Sequence, residues 1–495
     1  MLVHELIQQG YDEKIALCEK DAKYSYAQMK KKVGQYRNFL YAQGMRPTDN
    51  VALFAKNSAD FIFSYLAVVS LGGAVVPLNT MLTSRETCFI LADARAKYIL
   101  TDKELQLATA DNSCQTIQIM IQHINEESNR VSYPDAPVIL MQETDPCVIL
   151  YTSGTTGRPK GALLTHCNLI ANAKAFSKVS DAAASDNTLC VLPMFHSFAW
   201  TCCVTTPLYN GSSITIVETF SPREVITTIR EMGITVVMGV PAMYGYYTAL
   251  ATPDDLAGVR LFVSGGASLP LETLNSFSTK TGKRVIEGYG LSEASPVVAF
   301  NPLGATKPGS IGLPLPSVDV KIFDNDGREA GTGEIGEIIV RGPNVMLGYY
   351  GLPGETEEAL RNGWLYTGDL AYKDEEGYIF IVDRKKDLVI VSGLNVYPRE
   401  VEEIIYQHPT VQEAAVIGVP DKKRGETVRA FIVPKEGMQL NKKELLYFLK
   451  KNLASYKLPR GIIEIEAMPK TASGKISKKD LRQLYEELNA QKVKG

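Results

Sequence analysis

The sequence predicts an α/β protein: a large N-terminal domain of α/β subdomains plus a β-rich subdomain, followed by a small mobile α+β C-terminal domain. Three observations predict it. Short apolar runs of strand character alternate with stretches of helical periodicity from Tyr26 to Ser264. From about Lys307 the texture changes to short alternating segments separated by turn residues. A charged break, Asp383-Arg384-Lys385-Lys386-Asp387, then precedes a second compact strand and helix pattern. At 495 residues the chain exceeds one ordinary core, and the break divides it into residues 1–385 and 386–495. Exposed polar residues there suit a hinge, because they can absorb backbone rotation without uncovering a core.

Taken in order, the apolar spacing predicts a helix over Tyr26 to Tyr41, a strand over Val51 to Ala55 and a helix near Ala59 to Ser70. Buried strands follow at Gly73 to Pro77 and Tyr98 to Thr101. The rhythm continues with strand Ser213 to Val217, helix Pro222 to Met232, and strands Val236 to Val240 and Arg260 to Ser264. Val318 to Phe323 with the turn Asp324 to Gly327 opens the β-rich part. After the break the spacing predicts strand Leu388 to Val391, helix Pro398 to Tyr406, strands Ala414 to Gly418 and Val428 to Val433, and helix Asn441 to Leu453. Ligands in such parallel sheets collect beyond the carboxyl ends of strands.

A net charge of -3 provides no electrostatic case for nucleic acid. The eight cysteines show neither a Cys-x-x-Cys pair nor regular spacing and read as reduced core thiols. The five histidines are scattered, so no transition-metal site is suggested. Met1 to Gly10 has no secretory pattern, which points to the cytoplasm. Two long uncharged stretches, Phe61 to Ser84 and Thr188 to Val217, are interrupted by Gly and Pro and read as buried core or a lined pocket.

The most informative stretch is Tyr151-Thr-Ser-Gly-Thr-Thr-Gly-Arg-Pro-Lys-Gly161, which follows the apolar run Cys147 to Leu150. Thr152, Ser153, Thr155 and Thr156 place four hydroxyls among Gly154, Gly157 and Gly161, with Arg158 and Lys160 close behind. Glycine lets backbone N–H groups approach an anion, hydroxyls donate to phosphate oxygens and the cations supply charge, so the expected ligand is a nucleotide phosphate. A kinase-type P-loop is disfavoured. There the lysine is followed by Ser or Thr and opens a helix, whereas Gly161 follows Lys160 and Pro159 biases Arg158 away from helical angles.

Five further motifs follow in fixed order: Leu192-Pro-Met-Phe-His-Ser-Phe-Ala-Trp200, Gly288-Tyr-Gly-Leu-Ser-Glu293, Tyr366-Thr-Gly-Asp369, Gly377-Tyr378 with Asp383 to Lys386, and Pro469-Lys-Thr-Ala-Ser-Gly-Lys475. At these residues the chain resembles the adenylate-forming superfamily of acyl-CoA synthetases, luciferases and peptide-synthetase adenylation domains. Gly288 to Pro296, Gly342 to Tyr350 and Asn395 to Glu400 look most like bacterial fatty-acyl-CoA ligases. The resemblance implies two half-reactions. A carboxylate attacks the α-phosphate of ATP to give acyl adenylate and pyrophosphate, and the thiol of coenzyme A then displaces AMP. With the substrate as nucleophile, catalysis rests on positioning and on charge aimed at the α-phosphate.

The resemblance also implies site residues. Glu293 is the magnesium ligand, a hard carboxylate suited to Mg2+ that arrives with phosphate oxygens. Ser292 stands where the family usually has threonine and keeps the hydroxyl. Tyr289 stacks on adenine beside Gly265, Gly266 and Ala267, with Glu287 and Gly288 at the same pocket, and Asp369 accepts from the ribose with Arg384 beside it. Lys475 bridges the carboxylate and the α-phosphate in the first half-reaction, Lys386 matches the hinge, and Gly393 faces the pantetheine tunnel in the second. His196 keeps two readings, an aromatic gate beside the substrate carboxylate or a satisfied core residue.

Amino-acid-activating relatives carry an aspartate where His196 follows Phe195, so an α-amino acid is disfavoured. Phe195, His196, Phe198 and Trp200, with Met238-Gly-Val-Pro241, suggest an apolar pocket, and a medium or long fatty acid is the first expectation. The alternatives are another acid such as an aryl acid, acyl loading onto a carrier protein, and a nucleotide-binding module without turnover. Peripheral membrane contact to collect the acid stays open, and oligomeric state has no signature in the sequence.

Overall fold

The computed structural model describes the chain except for residues 21, 108–115, 153–157, 325, 472–473 and 495, and for 491–494 only the backbone. Among the described residues four sheets form. The first has nine strands in the order Leu313–Pro314, Val297–Phe300, Val285–Gly290, Leu261–Ser264, Val236–Gly239, Asn187–Cys190, Ser213–Ile216, Ile15–Glu19 and Ala22–Ser25. Its middle is parallel, with Val236↔Leu261, Phe262↔Val285 and Ser213↔Asn187 in register, and its edges are antiparallel. The alternation of strand and helix requires this, because parallel neighbours need crossover connections.

The second sheet has seven strands: Gly348–Tyr349, Lys160–Thr165, Pro146–Thr152, Ala74–Pro77, Asn50–Phe54, Ala96–Thr101 and Ile117–Met120. The helix Ala59–Ser70 covers it and is buried at every position but Asp60, which accounts for the uncharged stretch that starts at Phe61. Ser58 caps it by accepting from Phe61 N–H at 3.1 Å. The second uncharged stretch folds as strand Asn187–Cys190 and the helical run Ser197–Tyr209, again largely buried. Among the described residues no helix is long and apolar enough to cross a membrane. The cysteines at 18, 88, 147, 190, 202 and 203 are buried thiols.

The β-rich part is a sheet of Asp319–Phe323, Gly336–Arg341, Trp364–Lys373 and Leu360–Arg361, with Ile379–Arg384 also paired to Trp364–Lys373. After the turn Lys385–Asp387 a fourth sheet begins, in the order Leu394–Val396, Val389–Val391, Gly425–Pro434 and Val411–Asp421, and Gly461–Glu464 joins Gly425–Pro434 in parallel. Its apolar residues form cores of their own, one around Val401, Ile405, Leu445 and Leu449 and one around Ile417, Phe431 and Leu481. The helices read from periodicity occur at Tyr26–Ala42, Ala59–Ser70, Pro222–Glu231, Pro398–Tyr406 and Lys442–Asn452. The two long strands of the fourth sheet run further than their apolar runs: Val419↔Thr427 and Pro420↔Glu426 continue the ladder past Gly418. Antiparallel backbone pairing carries Pro420 and Asp421, which composition alone marks as breakers.

Candidate active site

Pro146–Thr152 and Lys160–Thr165 pair antiparallel, with Thr152 opposite Lys160 and Tyr151 opposite Gly161. The hydroxyl-rich stretch therefore connects the two arms of a β-hairpin, and Lys160 opens a strand rather than a helix. Ser153, Gly154, Thr155, Thr156 and Gly157 lie outside the described residues. Gly161 is required by close approach: a Cβ there would stand 2.6 Å from Ile149 Cγ2. Gly348–Tyr349 forms the next strand along the hairpin. Tyr349 places its ring 5.3 Å from Lys160 Nζ and donates its hydroxyl to Glu293 Oε1 at 3.0 Å. One tyrosine thus joins the hairpin cation to the carboxylate expected to hold magnesium.

The strand Val285–Gly290 carries Glu287, Gly288 and Tyr289 to the wall of one cleft. Its neighbour Val297–Phe300 passes so close that a Cβ on Gly288 would lie 3.0 Å from Phe300 Cδ2 and one on Gly290 would lie 2.0 Å from Pro296 O. Tyr289 donates its hydroxyl to Asp369 Oδ2 at 2.5 Å, and Arg384 Nε lies 3.2 Å from Asp369 Oδ1. Antiparallel register sets the second contact, since Asp369 and Arg384 are direct partners. Glu287 is buried. Leu269 N–H donates to its Oε1 at 3.1 Å, whereas Oε2 has no partner among the described residues. Burial raises its carboxyl to about 7, against the pull of the Arg399 charge.

Strand Leu261–Ser264 ends at Gly265 and Gly266, with Ala267 beside them on the cleft wall. A Cβ on Gly265 would stand 3.0 Å from Phe198 Cζ. Gly266 has φ +82, and over it lies Lys475, whose Cε and Nζ would be 3.2 and 4.0 Å from a Cβ there. Lys475 is tied to Thr471, whose N–H donates to Lys475 O at 2.8 Å and whose Oγ1 accepts from Lys475 N–H at 3.2 Å. Burial first and the Arg384 charge second lower its pKa to about 8, against the opposing pull of Asp369 and Glu293. His196 caps the short helix Ser197–Ala199, with Nδ1 accepting from Phe198 N–H at 3.2 Å, which assigns the proton of the neutral ring to Nε2. Burial and the Lys475 charge push its pKa down to about 3. Ser292 and Ser197 place their hydroxyls 3.2 Å apart.

These residues line one cleft of about 1710 Å³, to which both the N-terminal sheets and the segment Lys470 to Arg482 contribute. Phe195, His196 and Phe198 are on its wall; Trp200 and Met238 are not. Trp200 turns away to stack on Tyr65, ring centroids 3.8 Å apart, because the far side of its helical run packs on the helix Ala59–Ser70. Met238 is buried in a strand within the nine-stranded sheet. Of the expected run Met238 to Pro241 only Pro241 reaches the wall, which Ala242, Gly245 and Tyr246 of the same helix, Pro241–Leu250, continue. Small residues at helical spacing are the signal that could have found them. Lys386 is exposed at the cleft rim. Gly393, φ +83, lies at the exposed tip between Val389–Val391 and Leu394–Val396 and is absent from the cleft wall.

Comparison with known proteins identifies the family. Residues 5–350 match the family described as AMP-binding enzyme, and residues 400–475 match the AMP-binding enzyme C-terminal domain. The chain is 37% identical over 493 residues to a long-chain-fatty-acid–CoA ligase of Bacillus subtilis (strain 168), covering 91% of this chain and 87% of the relative. It is 36% identical to a feruloyl-CoA synthase of an Amycolatopsis species, covering 93% and 94%. Among solved structures, ATP-bound MatB from Rhodopseudomonas palustris superimposes with a TM-score of 0.92 at 33% identity, covering 99% of this chain and 100% of that one.

Proposed function

The chain belongs to the AMP-binding enzyme family, and from that premise we propose that it activates a medium- or long-chain fatty acid with ATP and passes the acyl group to coenzyme A. The observation that carries this reading is Lys475 seated over Gly266, where the nucleotide wall meets the apolar wall of Phe195, Phe198, Pro241 and Ala242. An ammonium there lies where an acid's carboxylate and an α-phosphate would meet, and removing such a charge costs about 3 to 4 kcal/mol of transition-state stabilisation.

The other roles follow from chemistry and position. Tyr289 offers its ring to adenine, and Glu287, Gly265 and Ala267 border that pocket. Asp369, oriented by Tyr289 and Arg384, accepts from ribose hydroxyls. Lys160 and the hairpin hydroxyls attend the departing pyrophosphate, with Ser292 at its side. Among the described residues no three His, Cys, Asp or Glu side chains converge as a metal site. Glu293 offers one carboxylate, with Oε1 engaged by Tyr349. That donor set fits Mg2+ arriving with phosphate oxygens as further ligands, and the ion when bound neutralises developing phosphate charge. His196, neutral and at the wall, positions the acid. Lys386 is the hinge about which residues 386–495 turn, and Gly393 serves the second half-reaction after that turn.

The segments 195–202 and 241–250 bring no charged side chain to the wall, which favours an apolar acid. An aryl acid is the second reading, favoured by the rings of Phe195, Phe198 and Tyr246 on that wall and by the likeness to a feruloyl-CoA synthase. ATP–pyrophosphate exchange over straight-chain, aromatic and amino acids, followed by product analysis with coenzyme A, tests both. Exchange with straight-chain acids and formation of their CoA thioesters is expected. Exchange with aromatic acids alone overturns the fatty-acid assignment, and exchange without any CoA thioester indicates a carrier protein as acceptor.

A further inference from the structure

Two carboxylates fasten the C-terminal part of the chain to the rest, each serving the N-terminus of a helix from the other side. Asp383, in the strand Ile379–Arg384, accepts from Arg384 N–H at 2.8 Å through Oδ1 and from Arg399 N–H at 2.9 Å through Oδ2. Arg399 is the second residue of the helix Pro398–Tyr406, which has no capping side chain of its own, so Asp383 supplies the acceptor its first turn lacks. One turn further along, Glu403 extends Oε2 to Leu271 N–H at 3.4 Å. Leu271 opens the helix Leu271–Thr281, which likewise has no side-chain cap. Arg399 completes the contact: its Nη1 donates to Ile381 O at 2.7 Å and its Nε lies 3.8 Å from Glu403 Oε1.

The segment Gly265 to Leu271 is therefore gripped twice. Leu269 donates to the buried Glu287 from below, and Leu271 donates to Glu403 from the C-terminal part. The same segment includes Gly266, over which Lys475 lies. The Glu403 contacts are long, as a joint that must later release requires: at 3.4 and 3.8 Å each is weak alone, and they act together only while the helix ends are aligned.

We propose that Arg399 and Glu403 are positioning residues for the first half-reaction, holding the C-terminal domain in the orientation that seats Lys475 over Gly266. The proposal rests on the adenylation reading above. Neither residue is assigned to the reacting atoms; both act through Lys475 and the Gly265–Leu271 segment.

Glu403→Ala and Arg399→Ala are compared with Glu403→Gln, which keeps an oxygen for Leu271 N–H and gives up the charge. In the alanine variants acid-dependent ATP–pyrophosphate exchange falls about 10-fold, the loss expected for one or two charge-assisted hydrogen bonds. Thioester formation from supplied acyl adenylate and coenzyme A stays at the wild-type rate, and Glu403→Gln recovers most of the exchange. Energy transfer between dyes on exposed Lys178 and Lys443, recorded without substrate, shifts to a broader distance distribution in both alanine variants. Equal loss of both half-reactions, unchanged exchange, or an unchanged dye distance overturns the proposal. If wild-type protein exchanges with no acid, the adenylation reading fails, and the dye distances still decide whether the two residues hold the domains.

Discussion

Tyr349 donates its hydroxyl to Glu293 while its ring lies against Lys160, so a residue with no chemistry of its own aligns two that carry charge. Removing the hydroxyl leaves the ring and its packing. Tyr349→Phe is expected to weaken the Mg2+ dependence of ATP–pyrophosphate exchange by about 10-fold, the usual scale for a lost partner of a metal-binding carboxylate. A Mg2+ titration at fixed ATP checks this; an unchanged midpoint would place magnesium elsewhere.

Lys475 and Gly393 occupy opposite situations, one at the centre of the cleft wall and one at an exposed hairpin tip. Lys475→Ala should abolish adenylate formation and spare thioester formation from supplied acyl adenylate. Gly393→Trp should do the reverse, since nothing lies within 4 Å of a Cβ there in this arrangement and the first half-reaction has no need of it. Rapid-quench assays of each half-reaction separate the two.

The pH dependence of the first half-reaction follows from the same lysine. Burial holds Lys475 at about 8, so its positive charge is present below that pH and is lost as pH rises through it. The kcat/KM for adenylate formation should therefore fall on the alkaline side of about 8. In Lys475→Arg, whatever its absolute rate, that limb should disappear because guanidinium keeps its charge.

Glu287 bears on stability with the opposite sign to an ordinary carboxylate. Its folded value, about 7, lies above the ordinary 4.5, so the folded protein holds a proton that the unfolded chain releases, and stability declines as pH climbs from 4.5 through 7. Glu287→Gln removes the ionisation. Its melting temperature relative to wild type should be higher at pH 8 than at pH 5.5, and an equal difference at both would show that Glu287 ionises freely.

Gly245 faces open space on the cleft wall, with nothing within 4 Å of a Cβ. Gly245→Leu should therefore fold normally yet shift the preferred acid to shorter chains, with the KM for ATP unchanged. A chain-length series in the exchange assay shows the shift; the same preference in both proteins would mean the acid lies elsewhere.

Local order was legible where one physical cause dominated. Pro398–Tyr406 shows a Pro at its first position and a clean apolar stripe, and its limits are those periodicity predicts. The glycine-lined part of the cleft was legible because glycines such as Gly290 have no tolerable substitute at 2.0 Å from a backbone oxygen, which leaves a fixed motif in the chain. Trp200 and Met238 misled because an aromatic or a methionine in an uncharged stretch serves a core as readily as a pocket. Only the packing of Trp200 on Tyr65 decides between them. Tyr349 and Glu403 act through Glu293 and Leu271, partners more than 50 residues away, and Arg399 through Asp383 and Ile381 across the charged break, so nothing in their local spacing marks these contacts.

The strand Lys160–Thr165 has Pro146–Thr152 on one side and Gly348–Tyr349 on the other. Its second neighbour leaves the ribosome only after the whole nine-stranded sheet has been made, so for much of synthesis the hairpin presents a bare edge to other chains. Nascent chains stalled just before Gly348 should aggregate, and chains stalled well beyond Tyr350 should not.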